Sequence, residues 1–497
     1  MARVVVIGAG IGGMAVAARL RVKGHEVTVV EAAETYGGQV GTFHRDGFRF
    51  DTGPTTFTLP AVYRDLFLKT GAPLEECVEL VPLDPATQYR FADGTTLHLP
   101  GVGAGRCATA VGEALGGRSA DEWRALLQRA GRMWTAIRRP VLESPVSGPR
   151  DLLPLATDLE TLRTLAPWRT VRGLGRATLT DPRARQVLER WAWQVGSDPR
   201  RAPATLATLP YVEATFGTWQ IAGGLRTLAD ALHDRLLERR VEVRLSTPAD
   251  RIEVAGGRVT GVRLADGRVL PADVVVAAVP VSLVHRRLLD ERSPGADRRI
   301  ASQDAGSSLF TMLLAVRGRT EGLDASHTVW LPQDGDAALA DVFGRTPRPA
   351  EDPAIQVSIS DDDATRPPGH EAWVVRVDAP RHRHPTARGT VDWDPPGLAE
   401  GYADRILARL AERGTDLAGR ILWRELRTPA DLERATGAPG GAVHAPASHG
   451  VRGGLLRPSN RTGITGLFLV GSSAHPGPGL PRVGLSAEIV AGLIGRA

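Results

Sequence analysis

Hydrophobic residues in this chain come in two periods, and the change between them marks out its elements. Val4 to Ile7 is a short run of four apolar residues, the pattern of a parallel strand buried on both faces. Gly8, Gly10 and Gly13 follow it, and Met14 to Leu20 continues as a helix rich in small residues. Gly24 closes that helix, Glu26 to Val30 alternates as a second strand, and Glu31 stands at its end. The reading is a βαβ unit at the very start of the chain.

Further along, the segment between Cys77 and Ala204 is mostly helical in pattern and carries Trp123, Trp134, Trp168, Trp191 and Trp193. Beyond Tyr211 a helix leads to a strand. Short strands follow, turned at Gly256-Gly257 and Asp266-Gly267, both good hairpin pairs, and Val274 to Ala278 reads as a buried strand. Leu309 to Val316, Ile355 to Ser360 and Trp373 to Ala379 look like strands of a second sheet. The chain nearly ends on a strand at Leu467 to Val470, a loop rich in Gly and Pro from His475 to Arg482, and a helix predicted to start near Val483. No internal repeat is present. No apolar run approaches the ~20 residues needed to span a bilayer.

The glycine spacing gives the first fragment its chemistry. Gly8 permits a tight turn, Gly10 lets backbone approach a pyrophosphate, and Gly13 lets the helix pack close to the strand. The helix N-terminus offers N–H groups and partial positive charge to a phosphate. Glu31, eighteen residues after Gly13, is placed to accept hydrogen bonds from ribose hydroxyls. A second pair, Gly37-Gly38, soon after the acidic strand end points to FAD rather than NAD, because an extended dinucleotide needs several close backbone approaches. Gly53-Pro54 adds another tight turn.

Composition changes this picture little. The 497 residues suggest two or three domains. The formal charge of +5 is spread along the chain, so it supports no nucleic-acid partner, and a mild attraction to anionic lipid fits it equally well. Two cysteines, Cys77 and Cys107, read as free thiols in a reducing compartment. The start has no room for a signal peptide. The expected location is cytoplasmic, either free or peripheral on the inner face of the membrane. Thr161 to Leu179 holds Arg163, Arg169, Arg172 and Arg176 around Trp168 with no acid. It reads either as an interfacial membrane helix or as a solvated basic helix on a cap. Asp361 to Asp363 lacks metal-ligand spacing, and His382 and His384 have no nearby acid, His or Cys to complete a site, so no metal is expected.

At this point the sequence resembles a known group. "VVVIGAGIGGMAVAARL", "GFRFDTGPT", "GTWQIAGGLRTLADAL", "TPADLERATGAPGGAVH" and "GLFLVGSSAHPGPGLPRVGLSAEIVAGLI" are similar to segments of the FAD-dependent phytoene desaturase and carotenoid desaturase–oxygenase family, within the flavin amine oxidase superfamily. The chain departs from it at Gln39, where the family commonly has Arg, and at Arg482, where many relatives carry a small or apolar residue.

The resemblance implies an α/β protein. A Rossmann-like FAD-binding domain is assembled from residues 1–75, 205–290 and 455–497, with a helical cap over 76–204 and a substrate domain with an antiparallel sheet over 291–454. It implies non-covalent FAD held by Gly8, Gly10, Ile11, Gly12, Gly13, Glu31, Ala32, Gly37, Gly38, Gln39, Gly53 and Pro54. Ile252 would lie beside the adenine and Ala278 near the flavin, with Gly471, Ser472, Pro481 and Val483 on the last approach. His475 and Arg482 are the candidates for catalysis, and His475 alternatively braces the loop through backbone hydrogen bonds.

The implied reaction is desaturation of a long isoprenoid or carotenoid by hydride transfer to flavin N5. Oxygenation of the same substrates, oxidation of another hydrophobic intermediate, an amine or porphyrinogen oxidase and a prenyl-lipid carrier without flavin chemistry are the alternatives. The sequence leaves the oligomeric state open.

Overall fold

The computed structural model describes residues 1–289, 306–360, 362–383, 389–444 and 446–497. In chain order it opens with β1 (Arg3–Ile7), α1 (Ile11–Val22) and β2 (Glu26–Val30). A hairpin, β3 (Thr87–Arg90) and β4 (Thr96–Leu99), precedes a run of helices: α2 (Ser119–Ile137), α3 (Leu159–Leu165), α4 (Val171–Thr178), α5 (Pro182–Gln194) and α6 (Thr208–Phe216). Strands β5 (Glu242–Arg244) and β6 (Val274–Ala277) flank a three-stranded antiparallel sheet over 249–271. Then come β7 (Ser308–Arg317), β8 (His327–Trp330), β9 (Ile355–Ile359), β10 (His370–Ala379), α7 (Leu398–Glu412), β11 (Ile421–Arg427), β12 (Leu467–Leu469) and α8 (Leu480–Ile494).

Two sheets organise the molecule. The first has the order β5-β2-β1-β6-β12, and every pair is parallel, with Val4 opposite both Val27 and Val274. Its central strand is buried from Val4 to Ile7, as a sheet covered on both faces requires. The second has the order β11-β7-β10-β9-β8-β3-β4. One face of it, with Phe310, Met312, Val357, Val375 and Val377, packs with Tyr402, Ile406 and Leu410 of α7.

Three sequence expectations need correcting. The hairpin β3–β4 falls in the stretch read as a helical cap, yet it completes the second sheet through a parallel pairing of β3 with β8. The contact is non-local, and a local pattern cannot show it. The basic stretch from Thr161 to Leu179 is not one helix. Ala166 adopts a left-handed conformation that ends α3, and Thr170 caps the start of α4. The last helix starts at Leu480, three residues earlier than predicted, with Pro481 in its first turn. The expected boundary at residues 290 and 291 lies outside the described residues.

Candidate active site

The start of α1 and the start of α8 meet. Gly8 has φ +103°, and its N–H donates to Val30 O at 2.8 Å. A Cβ on Gly13 would stand 2.0 Å from Gly8 O, so only glycine lets α1 come this close to β1. A Cβ on Gly38 would stand 3.1 Å from Gly10 Cα, and Gly37 N–H donates to Ala9 O at 2.8 Å. From the other end of the chain, Val483 Cγ1 lies 3.1 Å from where a Cβ on Gly12 would be. The first turn of α1 has no side-chain cap, and neither does that of α8. Two helix N-termini with free N–H groups therefore stand side by side.

These elements line one end of a cavity of ≈ 1440 Å³. That exceeds the roughly 300–1,000 Å³ of a site for one drug-sized ligand, and leaves room for a cofactor and a second molecule. Gly8, Gly10, Ile11, Gly12, Glu31, Gly37, Gly38, Gln39, Gly53, Pro54, Ala278, Gly471, Ser472, Pro481, Arg482 and Val483 are all on its wall. The cradle fits a dinucleotide. At Gly471 (φ +112°) and Gly479 (φ +102°) a Cβ would meet nothing within 4 Å, so the backbone leaves open space there. The Glu31 carboxylate accepts from Ala9 N–H (2.7 Å) and Ala33 N–H (2.9 Å), which fixes it at the strand end with lone pairs to spare.

Four expected site residues lie off this wall. Gly13 acts through the packing just described. Ala32 is exposed, and Ile252 is buried in a core with Val259 and Val262 rather than facing the cavity. For His475 the structure bears on the two readings given above. Its ring is buried, and Nε2 donates to both Val141 O (2.7 Å) and Ser144 O (3.0 Å). Its own carbonyl accepts from Asn460 Nδ2 and Ser486 Oγ. Burial holds its pKa below the ordinary value. An imidazole bonded to two carbonyls in this way fits the brace reading.

Arg482 does reach the cavity. Burial alone pushes its guanidinium down to about 10, and among the described residues it has no ion pair or hydrogen bond. Its neighbour Arg457 is held by Pro446 O at 2.6 Å and Ser448 Oγ at 3.1 Å, and feels the charge of Arg482.

The rest of the cavity wall was not anticipated. Trp134, Leu142, Trp191 and Val212 make an apolar wall beneath the helices. The second sheet contributes Thr311, Gln356, Arg376 and Asp378, and the helices add Arg190 and Glu213. Arg376 is buried and donates to Asp51 O (3.1 Å) and to Gly53 O, tying this sheet to the glycine turn at the cofactor end. Burial pushes Glu213 up to about 7 and Asp378 up to about 6. One signal was available: in "VVRVDA" Arg376 and Asp378 are two residues apart, on one face of a strand otherwise apolar.

Elsewhere, His382 does have acids nearby, contrary to the sequence reading: ligand atoms of His382, Asp392 and Asp394 lie within 4.8 Å of one another. Arg383 and Arg434 already pair with the two aspartates, and His382 Nδ1 accepts from Trp393 N–H, so the cluster is internally satisfied. Asp361 and His384 lie outside the described residues. Cys77 and Cys107 are free thiols, as expected.

Comparison with known proteins agrees with this geometry. Residues 11–388 match the profile of the flavin containing amine oxidoreductase family. Hydroxyneurosporene desaturase of Rubrivivax gelatinosus is 31% identical over 506 residues, covering 98% of this chain and 92% of that protein. The 4,4'-diapolycopene oxygenase of a Methylomonas species is 28% identical over 501 residues, covering 98% and 97%. The crystal structure of an oxidoreductase from Methanosarcina mazei shares the fold, with a TM-score of 0.65 at 17% identity and coverage of 98% and 99%. With paired helix N-termini over a glycine-lined cradle and a match across most of its length, the chain belongs to the flavin containing amine oxidoreductase family and is an FAD-dependent oxidoreductase.

Proposed function

We propose that this enzyme dehydrogenates a long, largely apolar polyene of the carotenoid type. The observation that carries the reading is the single cavity that runs from the glycine cradle to the tryptophan wall under the helices. FAD, when bound, supplies a two-electron acceptor for a C–H bond next to existing double bonds. Gly8, Gly10, Gly12, Glu31, Gly37 and Gly38 would hold its nucleotide part, and Gly471, Ser472, Pro481, Arg482 and Val483 its redox end. The N-terminus of α8 and the unpaired charge of Arg482 favour electron gain at that end. Trp134, Leu142, Trp191 and Val212 hold an extended chain by apolar burial and exclude water.

The relatives named above are a desaturase and an oxygenase, so the neighbouring reading is oxygenation of the same class of substrate. The purified protein, supplied with polyenes in liposomes, is tested by the mass of its products. Loss of two hydrogens is the expected result, and gain of oxygen favours the oxygenase reading.

The substrate class also suggests how the protein meets its substrate. Among the described residues no helix is long and apolar enough to cross a membrane. Leu153, Leu159 and Trp168 are exposed, with Leu159 and Trp168 at 68% and 66%, and Arg163 and Arg169 stand exposed beside them. Apolar side chains rimmed by arginine suit contact with an anionic lipid surface. Arg172 takes no part, because it pairs with Glu189 and Asp336.

A further inference from the structure

Dehydrogenation removes a proton as well as a hydride, and the cavity wall was searched for a group that could take it. Four acids stand on that wall among the described residues, and three of them are already engaged. Glu31 is held by two backbone N–H groups. Asp230 accepts from Arg226 Nε at 2.8 Å. Asp378 accepts from Arg190 Nη1 at 3.4 Å and from Ser307 Oγ at 3.3 Å, while Arg190 Nη2 donates to Gln356 Oε1 at 2.7 Å. The fourth is Glu213. Among the described residues its carboxyl has no ion pair and no hydrogen bond of regular geometry. Trp191 is the one side chain that favours its ionised form, and the Trp191 ring N–H has no bonded partner either.

The helix that carries Glu213 brings it to the right place. In α6, Thr208, Leu209, Val212 and Glu213 are all on the cavity wall, at the spacing of a single helix face. The short strand Phe57–Thr58 packs against both α6 and α8, so this face stands one strand away from the uncapped start of α8. Tyr89 of β3 and Cys107 of the helix Ala104–Leu115 feel the charge of Glu213, and Tyr89 also feels Arg190 of α5. Among the described residues no charged group of α2 or of the strand Phe57–Thr58 bears on it, and burial is what raises its pKa to about 7. An unpaired carboxylate on a wall shared with Trp134, Leu142 and Val212 is costly. Taking up a proton removes that cost, so the apolar surroundings themselves favour proton capture.

We propose that Glu213 is the general base that accepts the proton lost by the substrate. The proposal rests on the dehydrogenation reading above and deepens it. One C–H bond of the substrate breaks with its electron pair, which leaves as hydride to bound FAD. The electron pair of the neighbouring C–H bond closes the new carbon–carbon double bond, and its proton passes to a carboxylate oxygen of Glu213. Glu213 returns the proton to solvent before the next turnover, so the side chain is unchanged over the cycle.

The test mixes oxidised, FAD-loaded enzyme with an acyclic polyene hydrocarbon in liposomes without oxygen, and follows flavin bleaching together with the infrared difference spectrum. In the unaltered enzyme the bleaching rate is expected to rise with pH through about 7 and level off, because the base must be ionised to accept. A protonated-carboxyl stretch is expected to appear with bleaching. Glu213→Gln is expected to slow bleaching at saturating polyene by about 100-fold or more, with KM and flavin content little changed, and to abolish both the rise with pH and the infrared band. Glu213→Asp, which keeps the acid, should retain the rise. Should E213Q fail to fold, the unaltered enzyme decides alone: a rate flat from about pH 6 to 8, with no carboxyl band, overturns the proposal. So does an E213Q enzyme that bleaches as fast as the unaltered one. Either result leaves polyene dehydrogenation standing, whereas flavin that no polyene reduces in the unaltered enzyme takes down both.

Discussion

The two sheets face one cavity and build their walls from different material. At the five-stranded sheet the wall is mostly backbone: Gly8, Gly10, Gly12, Gly37, Gly38 and Gly471, between two uncapped helix starts. At the seven-stranded sheet the wall is side chains: Thr311, Gln356, Arg376 and Asp378 below, Arg190, Trp191 and Glu213 above. A cofactor shared by many enzymes is recognised through close approach and helix ends, which glycine spacing specifies. A substrate is recognised through side chains that long-range register brings together. In the first wall Gly8 and Gly38 leave little room for a Cβ, whereas Gly471 faces open space.

Two glycines, Gly13 packed behind the backbone wall and Gly471 on it, test this wall, and the largest effect is expected there. Gly13→Val drives a side chain into Gly8 O, so the β1–α1 junction cannot close. The expected outcome is protein with no bound flavin and a broken unfolding transition, read by absorbance and circular dichroism. Gly471→Ala meets no atom within 4 Å, so the fold should survive with about 1–2 kcal/mol of strain from its positive φ, while flavin binding falls sharply. If both variants lose the fold equally, the open space at Gly471 is not a cofactor cradle.

Next comes the junction between the walls. Arg376→Met removes the donor to Asp51 O and Gly53 O, and should cost about 2–3 kcal/mol in denaturant unfolding, with weaker flavin retention. A change in stability without any change in flavin retention would separate the two walls.

Glu213 gives a pH test of comparable size. Its folded pKa is raised from 4.5 to about 7, chiefly by burial, with the Trp191 side chain opposing. The fold favours the protonated form, so this stability is fully present below about 4.5 and is lost as pH rises through about 7. The loss should be of the order of 3 kcal/mol across that window. Glu213→Gln should remove that share of the pH dependence, leaving the smaller fall from Asp378, whose pKa is raised to about 6. Melting temperatures from pH 4 to 8 check this.

The smallest effect on stability is expected from the joint change Leu159→Ser and Trp168→Ser. Both side chains are exposed, so unfolding should move by less than about 0.5 kcal/mol. Sedimentation with anionic liposomes should nevertheless fall. Unchanged sedimentation would remove this surface from the account.

What could be read from the sequence follows the same division. β1, β2, the hairpin turns and the glycine cradle rest on residues near one another in the chain, and spacing alone locates them. Arg190 could not be found that way, because its role depends on Gln356 and Asp378, well over a hundred residues distant. His475 was left with two readings for a related reason. A histidine in a loop near a cofactor is ambiguous until its partners are known, and Val141 and Ser144 are more than three hundred positions earlier. The start of α8 was placed late because Pro481 looked like loop, although proline is well suited to the first turn of a helix.

The central claim is that one cavity brings FAD and a polyene together. Its most direct test is an oxygen-free single turnover: oxidised, FAD-loaded enzyme is mixed with a conjugated polyene, while flavin absorbance and product mass are followed together. The account predicts one equivalent of flavin reduced for each product molecule lighter by two hydrogens. Flavin that stays oxidised while product forms, or product heavier by oxygen when oxygen is restored, would contradict it.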